Sequence, residues 1–197
     1  MKLLVSFFAV LFVSTAFTLS SGYNVGDKVK DFNLKNVDGK MVSLESYEDA
    51  KGYIVVFTCN SCPYSVAYED RIIDLHKDLA PKGFPVIAIN PNDVKKSPKD
   101  SYDLMIKRAK EKDFPFAYVY DETQEVTKEF GATNTPHVYV LDKDMVVRYI
   151  GAIDNNTRSA ADADKKYVRE AVESILKNEE VSNNKTKAIG CTIKWAS

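Results

Sequence analysis

The chain has 197 residues, of which 45% are apolar and 28% charged, and a formal net charge of −1 at pH 7. This length can bury one substantial hydrophobic core, so we expect a single domain. Because the charges balance, the composition argues against a protein that binds nucleic acid or an anionic membrane surface.

Residues 1–21 have the pattern of a secretory signal. Lys2 supplies a positive charge, Leu3 to Val13 is almost wholly apolar, and small residues gather before Gly22. The apolar run is short for a membrane span, which needs roughly 20 residues. An uncleaved anchor, the one route to a membrane here, is the alternative. We therefore predict a signal peptide over residues 1–21, one domain over residues 22–197, and export to a periplasm or out of the cell.

The mature chain alternates between predicted strands and helices. A hairpin turning at Asp38-Gly39 comes first, followed by a continuous apolar strand over Tyr53–Phe57. The apolar positions of the second predicted helix are Leu104, Ile106 and Ala109. The elements predicted after the central strand are a helix to residue 80, a strand over 84–90, a helix over 97–112, a strand over 116–120, a short helix over 122–130, two strands over 138–141 and 145–150, and a helix over 165–178. This order indicates an α/β domain with a mixed sheet.

Cys59 and Cys62 stand three positions apart, directly after the central strand. A helix that starts at Cys59 would point its first N–H groups at that sulfur and favour the thiolate. Cys62 lies about one turn further and could close a small, reducible ring with Cys59. A purely structural disulfide is the weaker interpretation, because so small a ring constrains the unfolded chain little. The spacing thus predicts thiol–disulfide exchange, with Cys59 attacking and Cys62 resolving the mixed disulfide.

Five further stretches occur together in a known group of proteins. In chain order they are Phe57–Tyr64, Ala67–Arg71, Ala88–Asp93, Tyr120–Glu125 and Ala188–Trp195. With them, the chain resembles the peroxiredoxin-like proteins of the thioredoxin superfamily, within the alkyl hydroperoxide reductase/thiol-specific antioxidant grouping. The resemblance implies a thioredoxin-like fold, with a central mixed sheet flanked by helices and an N-terminal β-hairpin extension. A C-terminal tail, about 180–197, would belong to the same domain.

The resemblance also implies a site around Thr135-Pro136. A proline here is expected to be cis and to present the preceding backbone to an incoming chain. His137 could stabilise the Cys59 thiolate or shuttle a proton, or it could face away as an ordinary strand residue. Cys191 has three interpretations: a second resolving cysteine brought in by the tail, a partner for intermolecular disulfides, or a small buried hydrophobe.

The sequence assigns no buried proton acceptor. Exported relatives often carry a carboxylate just before the dithiol strand or three residues after the second cysteine. Here residues 53–58 contain no acid, and Ser65 occupies the later position. Glu69 lies on the same helix face but further along, so it is a weak substitute.

Three functions fit these residues. The first is an exported thiol–disulfide oxidoreductase that acts on protein thiols or disulfides with a thiol electron donor, and needs no cofactor or metal. The second is a peroxidase acting on small peroxides, but Val56 and Gly52 occupy the positions where the peroxidase pattern needs Thr/Ser and Pro. The third is a copper-handling module with Cys59, Cys62 and His137 as soft ligands. A zinc site of three cysteines and a histidine is a variant of the third.

Overall fold

The computed structural model describes residues 22–197, so the predicted signal peptide lies outside the described residues. Nine strands and four α-helices follow one another in this part of the chain. They are β1 (Leu34–Asn36), β2 (Met41–Val42), β3 (Gly52–Phe57), α1 (Pro63–Leu79), β4 (Val86–Asn90), α2 (Tyr102–Glu111), β5 (Ala117–Tyr120), α3 (Glu125–Phe130), β6 (Asn134–Thr135), β7 (His137–Asp142), β8 (Val147–Gly151), α4 (Tyr167–Leu176) and β9 (Cys191–Thr192). Within residues 22–197, no helix is both long and apolar enough to cross a membrane.

Seven of the strands form a mixed sheet in the order β2-β1-β5-β4-β3-β7-β8. Strands β3, β4 and β5 run parallel to one another. Strand β7 pairs antiparallel with β3, and β8 pairs antiparallel with β7. The N-terminal hairpin pairs Leu34 with Val42 and turns through Gly39, whose φ of 83° suits glycine. The predicted mixed sheet and hairpin are therefore confirmed.

The central strand β3 is buried on both faces of the sheet. Ile54 and Val56 pack into the core on the side of α1, whereas Val55 and Phe57 pack into a second core on the other side. All six residues of β3 are buried, as its unbroken apolar sequence predicts. This packing fixes the carboxyl end of β3, where the two neighbouring cysteines follow.

The inward face of α2 includes only one of its three apolar positions named above. Ala109 packs against the core, while Leu104 and Ile106 are 39% and 40% exposed. Met105 is fully buried. The helix begins at Tyr102, after a 3₁₀ turn over Pro98–Asp100, so the buried stripe passes through Met105 rather than through its two neighbours.

Candidate active site

The first helix begins at Pro63, with Cys62 as its N-cap residue. The prediction that it starts at Cys59 is therefore wrong. Pro63 suits the first helical position because it has no N–H to leave unpaired. Ser61 instead donates its backbone N–H and its hydroxyl to Asp100, at 2.9 Å each, which holds residues 59–62 as a loop. The positive end of the helix dipole thus lies at Cys62.

Cys59 is a free, buried thiol, only 3% exposed. Its Sγ lies 3.4 Å from the Thr135 hydroxyl and 4.0 Å from the Ser65 hydroxyl. Burial raises the pKa of the Cys59 thiol, and the charge of Asp100 adds to that rise. Hydrogen bonds from Thr135 and from the N–H groups of Cys62 and Ser61 oppose it. In this state, burial and the charge of Asp100 thus favour the thiol form of Cys59 over the thiolate that the sequence leads us to expect.

The disulfide joins Cys62 to Cys191, across 129 positions of sequence. The expected ring between Cys59 and Cys62 is therefore not the one present. Cys191 is neither unpaired nor a buried hydrophobe, since the tail brings it to the dithiol. The disulfide shows that the tail brings Cys191 to Cys62 within the chain.

Thr135 contacts both cysteines of the dithiol. Besides the contact of its hydroxyl with Cys59, its carbonyl oxygen lies 3.2 Å from the Cys62 Sγ. The Thr135–Pro136 bond is cis, as the resemblance predicts. Thr135 is fully buried, so these contacts lie away from bulk water.

Asp100 is a buried acid beside the dithiol that the sequence analysis did not identify. It is fully buried, and besides Ser61 it accepts hydrogen bonds from Asn92 Nδ2 at 2.8 Å and Ser97 Oγ at 2.6 Å. Asp100 lies in a turn almost 40 residues after Cys62, so no spacing relative to the cysteines could have identified it. Its role is to order the dithiol loop, and its negative charge disfavours the Cys59 thiolate.

Replacing Asp100 by asparagine should lower the free energy of unfolding by about 2–3 kcal/mol, because an amide N–H₂ would then face groups that donate hydrogen bonds. Urea denaturation measures this loss. Asp103→Asn, at an exposed position on α2, is the matched control and should change the free energy by less than about 0.5 kcal/mol. Equal effects of the two substitutions would contradict the role given to Asp100.

Glu69 does not serve as a free proton acceptor. The Arg108 guanidinium on α2 holds both of its carboxylate oxygens, at 2.7 and 2.6 Å. Glu69 and Cys59 line the same small cavity between α1 and the sheet, but the carboxylate is fully engaged in this bidentate pair.

His137 lies on the sheet face opposite α1. Alternate residues of β7 point to opposite faces, and Val138 and Val140 pack in the core that contains α1 residues. The His137 ring lies beside the Tyr139 ring at an angle of 42°, with centroids 5.0 Å apart, and its Nδ1 accepts the Thr133 N–H. Burial, aided by the charge of Lys185, lowers the pKa of His137 to about 4. A neutral imidazole on this face does not supply a positive charge to the Cys59 sulfur.

The residues expected to bind copper or zinc do not come together as a set of ligands. Cys62 is engaged in a disulfide, and His137 faces away from the dithiol helix. Among residues 22–197, no group of three or more His, Cys, Asp or Glu side chains is arranged to hold a metal ion.

Two named relatives belong to the two enzyme classes considered above. The chain is 25% identical over 146 residues to the thiol-disulfide oxidoreductase ResA of Bacillus thuringiensis subsp. konkukian, covering 68% of this chain and 78% of that protein. It is 28% identical over 134 residues to the chloroplastic peroxiredoxin Q of Oryza sativa subsp. japonica, covering 64% and 57%. Both classes are redox enzymes.

Solved structures share the fold. An uncharacterized conserved protein from Geobacillus kaustophilus superposes with a TM-score of 0.82 at 35% identity, covering 88% of this chain and 93% of its own. A thioredoxin-family thiol:disulfide interchange protein from Chlorobium tepidum superposes with a TM-score of 0.61 at 20% identity, covering 79% and 99%. At that identity the second likeness shows the thioredoxin-like fold alone.

The family assignment agrees with the fold and with the cysteines beside a cis-proline. Residues 25–150 match the AhpC/TSA family, a stretch that contains the central sheet, Cys59, Cys62 and the cis-proline loop. The chain is a member of the AhpC/TSA family, with a thioredoxin-like fold and the redox chemistry of thiols as its class of activity.

Proposed function

We propose that the protein is an exported thiol–disulfide oxidoreductase in which Cys59 is the nucleophile and Cys62 the resolving cysteine. One observation carries this proposal: both cysteines lie against Thr135, beside a cis-proline, where β3 ends and α1 begins. The carboxyl edge of an open α/β sheet is where such folds place their sites. The signal-like pattern of residues 1–21 supports export.

The reaction begins with three thiols. The Cys59 sulfur attacks one sulfur of a client disulfide, a Cys59–client bond forms, and the other client sulfur leaves and takes up a proton. Cys62 then attacks Cys59 and releases the second client sulfur as a thiol. The client gains two electrons, the Cys59–Cys62 pair loses two, and an external thiol donor restores the pair.

Thr135 and Pro136 position this chemistry. The Thr135 hydroxyl, 3.4 Å from the Cys59 Sγ, can donate a hydrogen bond to the thiolate once it forms, which lowers the cost of its charge. Pro136 holds the loop whose backbone would align a client disulfide with Cys59. Cys59 and Cys62 therefore undergo the bond changes, and Thr135 and Pro136 align the client.

A peroxidase is the less favoured candidate. The likeness to peroxiredoxin Q supports it, but Val56 and Gly52 offer neither the hydroxyl nor the ring that shapes a peroxide pocket. Both residues are buried within β3, so neither position presents a hydroxyl or a proline ring to a peroxide.

Parallel assays of the wild-type protein distinguish between these functions. With dithiothreitol as donor, we expect it to accelerate the precipitation of reduced insulin and to consume hydrogen peroxide no faster than Cys59→Ser does. Metal analysis after purification should find substoichiometric copper and zinc. Peroxide consumption without insulin reduction, or one copper per chain, would overturn the proposal.

A further inference from the structure

The C-terminal tail reaches the dithiol through a short strand pairing. Strand β9 runs antiparallel to β6 and places Cys191 directly opposite Thr135. Asn134 Nδ2 donates to the Gly190 carbonyl at 2.9 Å on the same edge. Since Thr135 also contacts Cys59 and Cys62, all three cysteines of the chain meet at this one residue.

Apolar packing and hydrogen bonds hold the tail in addition to the disulfide. Ile193 is 4% exposed in the second core, and its N–H donates to the Thr133 carbonyl. The Lys194 N–H donates to Asn92 Oδ1 at 2.9 Å, and its carbonyl accepts from Gln124 Nε2 at the same distance. Gln124 Oε1 also accepts the Ala196 N–H. The side chains of Asn92 and Gln124 thus form a clasp around residues 194–196.

This clasp is connected to the dithiol loop. Asn92, which receives the tail, donates its amide to Asp100, and Asp100 in turn holds Ser61 between the two cysteines. Gly190 allows the close approach of the two strands, because a Cβ there would lie 2.1 Å from the Thr135 carbonyl oxygen. Docking of the tail and the geometry of the dithiol are therefore parts of one arrangement.

We propose that Cys191 is a third redox cysteine, which displaces Cys59 from its disulfide with Cys62. This inference rests on the proposed function. In the exchange, Cys191 attacks Cys62 of the Cys59–Cys62 disulfide, the Cys62–Cys191 bond forms, and the Cys59–Cys62 bond breaks. Cys59 leaves and takes up the proton that Cys191 released. One disulfide replaces another without net oxidation, so the step needs no further reactant.

The exchange closes the site after a turnover. With the tail docked, Cys59 and Cys62 are 3% and 4% exposed, whereas Cys191 is only partly buried. Strand β9 also occupies the edge of β6, where the cis-proline loop would receive a client. The oxidised site thus turns its most accessible sulfur toward the thiol donor and excludes a second client.

A time course of disulfide formation tests the proposal. Fully reduced wild-type protein is mixed with oxidised glutathione, quenched in acid at intervals, alkylated, digested and mapped by mass spectrometry. We expect the Cys59–Cys62 disulfide first and its replacement by Cys62–Cys191, after which Cys59 is the alkylated cysteine. In Cys191→Ser the reaction should stop at Cys59–Cys62. In Cys59→Ser, Cys62–Cys191 should form roughly tenfold more slowly or worse, because the buried Cys62 must then react with the oxidant directly.

Gly190→Ala keeps all three cysteines and opposes the docking, because the added Cβ would meet the Thr135 carbonyl. We expect the ratio of the rate of conversion to Cys62–Cys191 to the rate of Cys59–Cys62 formation to fall at least about tenfold, since overpacking opposes the strand pairing. The fluorescence of Trp195, the one tryptophan of the chain, reports docking in the same samples.

Two results would overturn the inference: wild-type protein that retains Cys59–Cys62 with Cys191 alkylated throughout, or Cys62–Cys191 formation that is equally fast without Cys59. Either result leaves the proposed function standing if Cys191→Ser still reduces insulin. Loss of the proposed function is recognised separately, by wild-type protein that fails to reduce insulin at all.

Discussion

Replacing Cys59 by serine is expected to reduce insulin reduction to the uncatalysed background, a loss of roughly 10³-fold or more, because a hydroxyl cannot take the place of the attacking sulfur. The turbidity of precipitating insulin measures the loss. Ser65→Ala is the matched control, since Ser65 lies near the same sulfur, at 4.0 Å, but takes no part in the bond changes. We expect that variant to keep activity within a few-fold of wild type.

Cys62→Ser should behave differently from Cys59→Ser. Its Cys59 still attacks a client disulfide, but the mixed disulfide is not resolved, so a client adduct accumulates on Cys59 and turnover stops. Because α1 begins at Pro63, the helix dipole favours a thiolate at Cys62. Adducts on Cys62 in Cys59→Ser, with none on Cys59 in Cys62→Ser, would therefore reverse the proposed roles.

Acid pH is expected to lower the stability of the protein through His137. Its pKa falls from the ordinary value of 6.5 to about 4 in the folded protein, so the unfolded chain binds the proton more readily between these values. The stabilisation is complete above pH 6.5 and is lost as the pH falls toward 4. Between pH 7 and pH 4.5, this residue alone should lower the free energy of unfolding by about 2 kcal/mol.

The comparison uses His137→Asn, whose side-chain oxygen can still accept the Thr133 N–H. Urea denaturation at the two pH values should show a smaller loss in the variant than in wild type, by that same amount. Insulin reduction at pH 7 should be preserved, because the imidazole lies on the sheet face opposite α1 and is neutral at that pH. An equal acid-induced loss in both proteins would show that His137 does not titrate as its burial implies.

The features that the sequence predicts best are those set by local pattern. The unbroken run in β3 predicts its burial, Asp38-Gly39 predicts the hairpin, and Thr135-Pro136, read through the resemblance, predicts the cis bond. Each depends on residues adjacent in the chain, where periodicity and turn chemistry act directly.

The features that the sequence misses depend on tertiary contacts. Cys62 and Cys191 are 129 positions apart, and their pairing follows from the docking of the tail on β6. The start of α1 is displaced because Asp100, from a distant turn, holds Ser61. Asn92 and Gln124 lie in stretches that the sequence offers only as parts of a resemblance, and the structure gives them the role of binding the tail.

The most direct test of Cys59 as the attacking sulfur is the double variant Cys62→Ser/Cys191→Ser, which leaves Cys59 as the one cysteine of the chain. After incubation of the folded variant with oxidised glutathione, intact-mass and peptide analysis should find one glutathione per chain, on Cys59. A folded variant that stays unmodified, while the same chain in urea takes up glutathione readily, would contradict the account.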